Sequence, residues 1–224
     1  RMNMGYMHEP VKLVALGSGL AMGFLGNSHY GLEDLAVMRA IPGLTVISPA
    51  DCAEVYKTLE ACVGFEHPVY IRLTGAVSCP VVYTEDYDFE IGKAVWLCEA
   101  QKVNVISAGT TVGHCLKAAA ALEADGINVG LLNMHTVKPL DREAIAHAVE
   151  TSDAIFVVDE HTRIGGLGSA ITDHIVDHYG MGVRLFCHGI DDRYVETGNY
   201  PFLLQKNGLD SAGIEAFIRT KLAL

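Results

Sequence analysis

Residues 103–188 alternate between strand-like and helix-like segments so regularly that few architectures accommodate them. The order is strand Val103 to Ser107, helix Val112 to Ala124, strand Val129 to Asn133, helix Asp141 to Val149, strand Ala154 to Asp159, helix Leu167 to Tyr179 and strand Val183 to His188. Strands joined by crossover helices lie parallel and bury both faces, so the pattern predicts a mostly parallel sheet with helices on both sides. A last helix is predicted from Ser211 to Leu222, after a turn at Asn207-Gly208. No repeat of solenoid period is present.

The first third follows the same grammar. Val11 to Leu16 is an apolar run ended by Gly17-Ser18-Gly19, a buried strand entering a loop. Leu32, Leu35, Ala36, Met38 and Ile41 recur at helical spacing until Pro42-Gly43 stops them, and Leu44 to Ile47 is the next strand. Asp51 is placed to cap a second helix whose buried face is predicted as Val55, Leu59, Cys62 and Val63. Val69 to Leu73 is again a strand. Between Thr74 and Lys102 the pattern loosens into Pro80, the acidic stretch Glu85 to Glu90 and a hairpin-like Ile91 to Leu97. Residues 1–84 and 103–224 are therefore expected to be two α/β units, with 85–102 as the linker.

Charge narrows the function. Sixteen Lys and Arg are scattered through a chain of net charge -11, which argues against a nucleic-acid footprint or a polybasic membrane patch. No run reaches the ~18 apolar residues of a membrane span, and the first residues lack a signal peptide's basic-then-apolar order. Six cysteines without a Cys-x-x-Cys pair read as reduced, mostly buried thiols, which fits a cytoplasmic location.

Among residues that carry chemistry, His29 follows a strand-loop unit, on the side of an open α/β sheet where ligands bind. An imidazole donates or accepts protons near neutral pH; the plainer alternative is a histidine that caps the following helix. Gly17-x-Gly19-x-x-x-Gly23 has dinucleotide-like spacing but continues as loop through Phe24-Leu25-Gly26-Asn27 instead of opening a helix. Gly165-Gly166-Leu167-Gly168 precedes a helix, where glycines permit either an anion or close packing on a sheet or partner; packing is preferred. The Glu160/His161 pair raises metal binding but sits on an acidic strand end without a third ligand nearby, and is discounted. No Gly-x-Ser-x-Gly elbow, Walker loop or His-Glu-x-x-His helix occurs.

Three runs carry a family resemblance: Gly26-Asn27-Ser28-His29-Tyr30-Gly31 continuing to Ser48-Pro49-Ala50-Asp51, then Asn133-Met134-His135-Thr136-Val137-Lys138-Pro139-Leu140-Asp141, then Phe156 to Ala170 with Asp159-Glu160-His161-Thr162 and Ile164-Gly165-Gly166-Leu167-Gly168. In this order they resemble the transketolase family, thiamine diphosphate-dependent enzymes. They cover part of its pyrimidine-binding domain and then its carboxy-terminal domain, most like the separately encoded carboxy-terminal subunits. The fold implied is an incomplete pyrimidine-binding unit followed by a carboxy-terminal domain that serves assembly.

The activity implied is transfer of a two-carbon ketol unit from a ketose to an aldose. His29 would stand beside the reacting carbons. Thiamine diphosphate and Mg²⁺ would be held mainly by residues outside this chain, on a diphosphate-binding amino-terminal subunit or domain. The resemblance also implies that a segment before Arg1, carrying the glutamate that bonds the aminopyrimidine, is needed for activity, so that this chain alone is inactive. A homodimer or heterotetramer is implied, because family active sites form between subunits. Gly17 and Gly75 stand where sugar-phosphate transketolases place a histidine and an arginine for the substrate phosphate, and Arg72 is given a structural or interface role. The alternatives are a non-catalytic assembly module or pseudo-enzyme fragment, a 2-oxo-acid dehydrogenase beta subunit and a 1-deoxyxylulose-5-phosphate synthase-like enzyme.

Overall fold

The alternation of apolar runs becomes two sheets flanked by helices in the computed structural model, which describes residues 1–76 and 79–223. The first run is β1 (Lys12–Leu16), α1 (Asp34–Arg39), β2 (Thr45–Ile47), α2 (Cys52–Cys62) and β3 (Val69–Leu73). The second is β4 (Val95–Cys98), β5 (Val103–Ser107), α3 (Thr111–Ala124), β6 (Val129–Asn133), β7 (Thr136–Lys138), α4 (Arg142–Thr151), β8 (Ala154–Thr162), α5 (Leu167–Tyr179), β9 (Leu185–Ile190), α6 (Tyr200–Lys206) and α7 (Ser211–Leu222).

The larger sheet runs β4-β6-β5-β8-β9, parallel except for β4, which is antiparallel to β6. In its centre Val105 is in register with both Leu131 and Phe156. Every residue of β5 and β6 is buried, as a strand covered on both faces requires. Side chains alternate between two cores. Val105, Leu131, Phe156 and Val158 meet Leu122, Ile214 and Ile218 on one side. On the other, Ile106, Leu132, Ile155 and Val157 meet Ile145 and Ile171.

The smaller sheet runs β1-β3-β2-β7. Three strands are parallel and come from the first run, but β7 comes from the second and lies antiparallel to β2, with Val46 opposite Lys138 and Ile47 opposite Thr136. Leu35, Leu44, Val46 and Tyr70 of the first run share one apolar cluster with Ile106, Leu132 and Ile171 of the second. The two halves therefore share both a strand and a core.

Helix starts follow local chemistry. Asp51, Asp141, Asn199 and Asp210 each accept a hydrogen bond from the backbone N–H three residues on, at 2.9–3.0 Å, and cap α2, α4, α6 and α7.

Some expectations need revision. No hairpin spans Ile91 to Leu97: only 95–98 is strand, and it pairs with β6, distant in sequence. β8 runs to Thr162, because its polar end finds partners inside the protein. The buried face of α2 is Glu54, Thr58 and Cys62, while Leu59 and Val63 face solvent, because Glu54 is drawn inward by hydrogen bonds that outweigh the apolar pattern. Six free cysteines are present; Cys62 and Cys115 are buried, but Cys52 is exposed. No described helix is long and apolar enough to cross a membrane.

Candidate functional site

Residues 17–31 leave the carboxyl end of β1 as a glycine-rich loop closed at its neck. Gly17 N–H donates to Thr74 and Ser18 N–H to Leu73, each at 3.1 Å, while Gly19 and Gly31 exchange N–H···O bonds of 2.8 and 3.0 Å. Gly17 and Gly75 both have positive φ, +92° and +73°, a region that penalises any side chain with a Cβ. Their backbone geometry thus selects glycine at the two positions where the family resemblance would place phosphate-binding side chains.

The middle of the loop is tied to the second half of the chain. Tyr30 hydroxyl shares its one proton between the carbonyls of Glu196 (2.7 Å) and Gly23 (3.0 Å). Asn27 bonds both ways with Val195, its Nδ2 to the carbonyl at 2.6 Å and its Oδ1 from the N–H at 2.9 Å. Phe24, Leu25 and His29 are left exposed at the tip, with His29 Nδ1 3.0 Å from Ser28 Oγ. The imidazole faces solvent on a loop fastened at its neck and middle, which suits proton exchange with a molecule arriving from outside.

Behind the loop lies a buried ionic cluster. Glu160 Oε1 accepts from Leu20 N–H at 2.6 Å, and Oε2 accepts from Thr110 Oγ1 and Tyr200 hydroxyl, both at 2.7 Å. Burial pushes its carboxyl above the ordinary carboxylate range, against the pull of these donors and of Arg72. Arg72, 3% exposed, directs Nε to the Asp34 carboxylate at 2.9 Å and Nη2 to the carbonyls of Gly31 and Glu160 at 3.0 Å. Asp34 is desolvated, but the Arg72 charge and hydrogen bonds hold its carboxyl below the usual range. His161 accepts from Leu35 N–H at Nε2 (3.1 Å) and bonds the Thr162 carbonyl through Nδ1 (2.7 Å). Burial lowers its basicity, so it acts here as a neutral connector.

A second buried carboxyl joins the halves on the far side. Glu54 accepts from Ala50 N–H (2.6 Å), Tyr87 hydroxyl (2.9 Å) and Asn133 Nδ2 (2.8 Å), and burial raises it above the ordinary range. The Asp51 cap uses its other oxygen to accept from Val82 and Tyr83 N–H at 2.7 and 2.9 Å. Nearby His135 is stacked on Phe89 with ring centres 4.3 Å apart, and burial depresses it to about 4.

The amino terminus of α5, after Gly165-Gly166, is filled from within, because Leu167 N–H donates to Asp159 Oδ2 at 2.9 Å. Arg39 binds the carbonyls of Gly165 and Gly166, and a Cβ on Gly168 would sit 3.2 Å from Cys187. These glycines serve packing. Asp159, Glu160 and His161 all take internal partners, and among the described residues no group of three or more His, Cys, Asp or Glu is placed to hold a metal ion. Sequence alone does not single out Glu160 or Glu54 as anchors. The legible signal for Glu160 is a polar triplet directly continuing the apolar run Ile155-Phe156-Val157-Val158. For Glu54 no comparable signal exists.

Comparison with known proteins agrees with this arrangement. The family model "Transketolase, pyrimidine binding domain" matches residues 1–76 and "Transketolase, C-terminal domain" matches residues 92–214. A subunit of the apulose-4-phosphate transketolase of Phocaeicola vulgatus is 35% identical over 215 residues, 96% of this chain and 68% of that protein. The 1-deoxy-D-xylulose-5-phosphate synthase 1 of Geobacter sulfurreducens is 35% identical over 212 residues, 92% of this chain but 33% of that protein. A solved structure described as a split gene transketolase, inactive beta4 tetramer, superposes with a TM-score of 0.85 at 33% identity, over 99% of this chain and 69% of that one. With the loop, the shared core and both domain models in one order, the chain belongs to the transketolase family.

Proposed function

We propose that this chain works as the carboxy-terminal subunit of a split transketolase, moving a two-carbon ketol unit from a ketose to an aldose. The observation that carries this reading is its 35% identity, along 96% of its length, to an apulose-4-phosphate transketolase subunit. Thiamine diphosphate supplies the carbanion chemistry when bound. The donors described on this chain do not suit a diphosphate-bound Mg²⁺, since its buried carboxylates are spent on internal partners, so both are assigned to a diphosphate-binding partner subunit. Residues 1–84 and 103–224 are taken as the two domain bodies, in a cytoplasmic dimer or heterotetramer; of the stretch 85–102 between them, β4 joins the larger sheet.

In this reading His29 contributes proton transfer to sugar hydroxyls at the rim of a pocket completed by other polypeptide. Its loop is held by Asn27, Tyr30 and Glu160, so the imidazole is presented without a large ordering cost. Gly17 and Gly75 offer only backbone, so a substrate phosphate would need cationic side chains from elsewhere.

The test is activity on mixing with the diphosphate-binding subunit, followed by coupled assay of ketol transfer. His29→Ala in the assembled enzyme should lower kcat by about 100-fold or more while leaving cofactor affinity within about twofold. Unchanged turnover would remove His29 from the mechanism, and tight thiamine diphosphate binding by this chain alone, seen by calorimetry, would contradict the division of labour. The second reading, a 1-deoxyxylulose-5-phosphate synthase-like enzyme, is favoured by the similarity to the Geobacter sulfurreducens synthase; pyruvate consumption by the assembled enzyme would distinguish it.

A further inference from the structure

β9 is the outer strand of the larger sheet and, among the described residues, pairs only with β8. Arg184 and Ile190 direct their carbonyls to N–H groups of Ile155 and Arg163 on the β8 side. By strand alternation Leu185, Cys187 and Gly189 turn their own N–H and C=O groups to the free edge. An edge of this kind is a template for another extended segment.

Beside the edge lies a groove of about 420 Å³ with Phe186 and Phe217 in its wall. Four cations, Arg163, Arg193, Lys206 and Lys221, line it with Asp191, and Glu196 pairs with Lys206 and Arg193 at its margin. This is the reverse of the whole chain, where 27 Asp and Glu outnumber 16 Lys and Arg. The ammonium of Lys221, an exposed residue, lies over the Phe186 and Phe217 rings, 5.7 and 5.9 Å from their centres. Arg163 pairs with Asp191 at 3.0 Å and Lys206 with Glu196 at 2.9 Å, on side chains 44–70% exposed. Pairs in water hold weakly and exchange readily for a partner's carboxylates.

We propose that the β9 edge and its cationic groove receive an extended acidic segment of another polypeptide, which adds to the sheet as a sixth strand. Backbone pairing to Leu185, Cys187 and Gly189 supplies affinity, and carboxylates on alternate residues meet Lys206, Lys221 and Arg193. No residue of the His29 loop lines the groove, and the proposal does not depend on transketolase activity.

The test uses the full chain and three fluorescein-labelled octapeptides, read by anisotropy: alternating Glu/Val, alternating Lys/Val, and the Glu/Val peptide N-methylated at every residue. Saturable binding of the first alone is expected. The surface double variant Lys206→Glu, Lys221→Glu, checked for native circular dichroism, should weaken it by about tenfold or more. Equal binding of the N-methylated peptide would overturn strand addition, and binding of Lys/Val or unchanged affinity in the variant would overturn the charge match. No binding of Glu/Val would reject the proposal. Self-association in sedimentation that disappears in the double variant would give the edge to a second copy and overturn the acidic-segment assignment.

Discussion

Among the described glycines of positive φ, the closest approach is at Gly19. It has φ +65°, and a Cβ there would collide with the Glu160 carboxylate that Leu20 N–H binds. A left-handed backbone and an overpacked charge both oppose substitution, so Gly19→Ala should cost about 2–4 kcal/mol, measured by urea unfolding. Buried ionisable groups set the pH response. His135 falls from 6.5 to about 4 on folding, so its contribution is present above 6.5 and is lost as pH drops toward 4, by up to about 3 kcal/mol. Glu54 and Glu160 are raised and act oppositely: their contribution is full below the unfolded carboxylate value and is lost as pH rises through the folded one. His135→Phe should therefore flatten the acid limb of Tm against pH between 6.5 and 4, leaving the alkaline limb in place; an unchanged acid limb would refute this.

At the scale of elements, one device appears twice. Asp51 caps α2 with one oxygen and holds Val82 and Tyr83 with the other; Asp141 caps α4 and holds Ala94 in the same way. Helix starts thereby fasten the connecting segment between the two sheets. Asp51→Ala should cost about 2 kcal/mol and open residues 79–92 to limited proteolysis ahead of the rest of the chain. The strands β3, β5 and β6 and the helices α3, α5 and α7 are readable in the sequence because their apolar periods are long and their stops are glycine, proline or a capping carboxylate; β1 forms where its apolar run puts it, but as an edge strand with Leu13, Val14 and Leu16 exposed, not the buried strand expected. β7 is three residues, too short for a period, and its partner β2 is some 90 positions away in sequence. α6 is seven residues with Pro201 in its first turn and gives no helical period. In the site, His29 is visible through its loop, but what anchors that loop is not: the bond from Leu20 to Glu160 spans 140 positions, and no local pattern records such a partner.

For the molecule as a whole, the strand and core shared between halves forbid independent melting. Val46 and Ile47 lose their outer neighbour if the second half opens, and Ile106 and Leu132 lose Leu44 and Val46 if the first does. Urea unfolding followed by the fluorescence of Trp96, the single tryptophan, should coincide with that followed by far-UV circular dichroism; two separated midpoints would refute the coupling. The crossing of β7 into the other sheet also bears on how such a chain tolerates being cut. A nick in the connecting segment would release two pieces, each keeping the complementary half of an interlocked seam, and these should find one another again and restore the native form, as a clasp does.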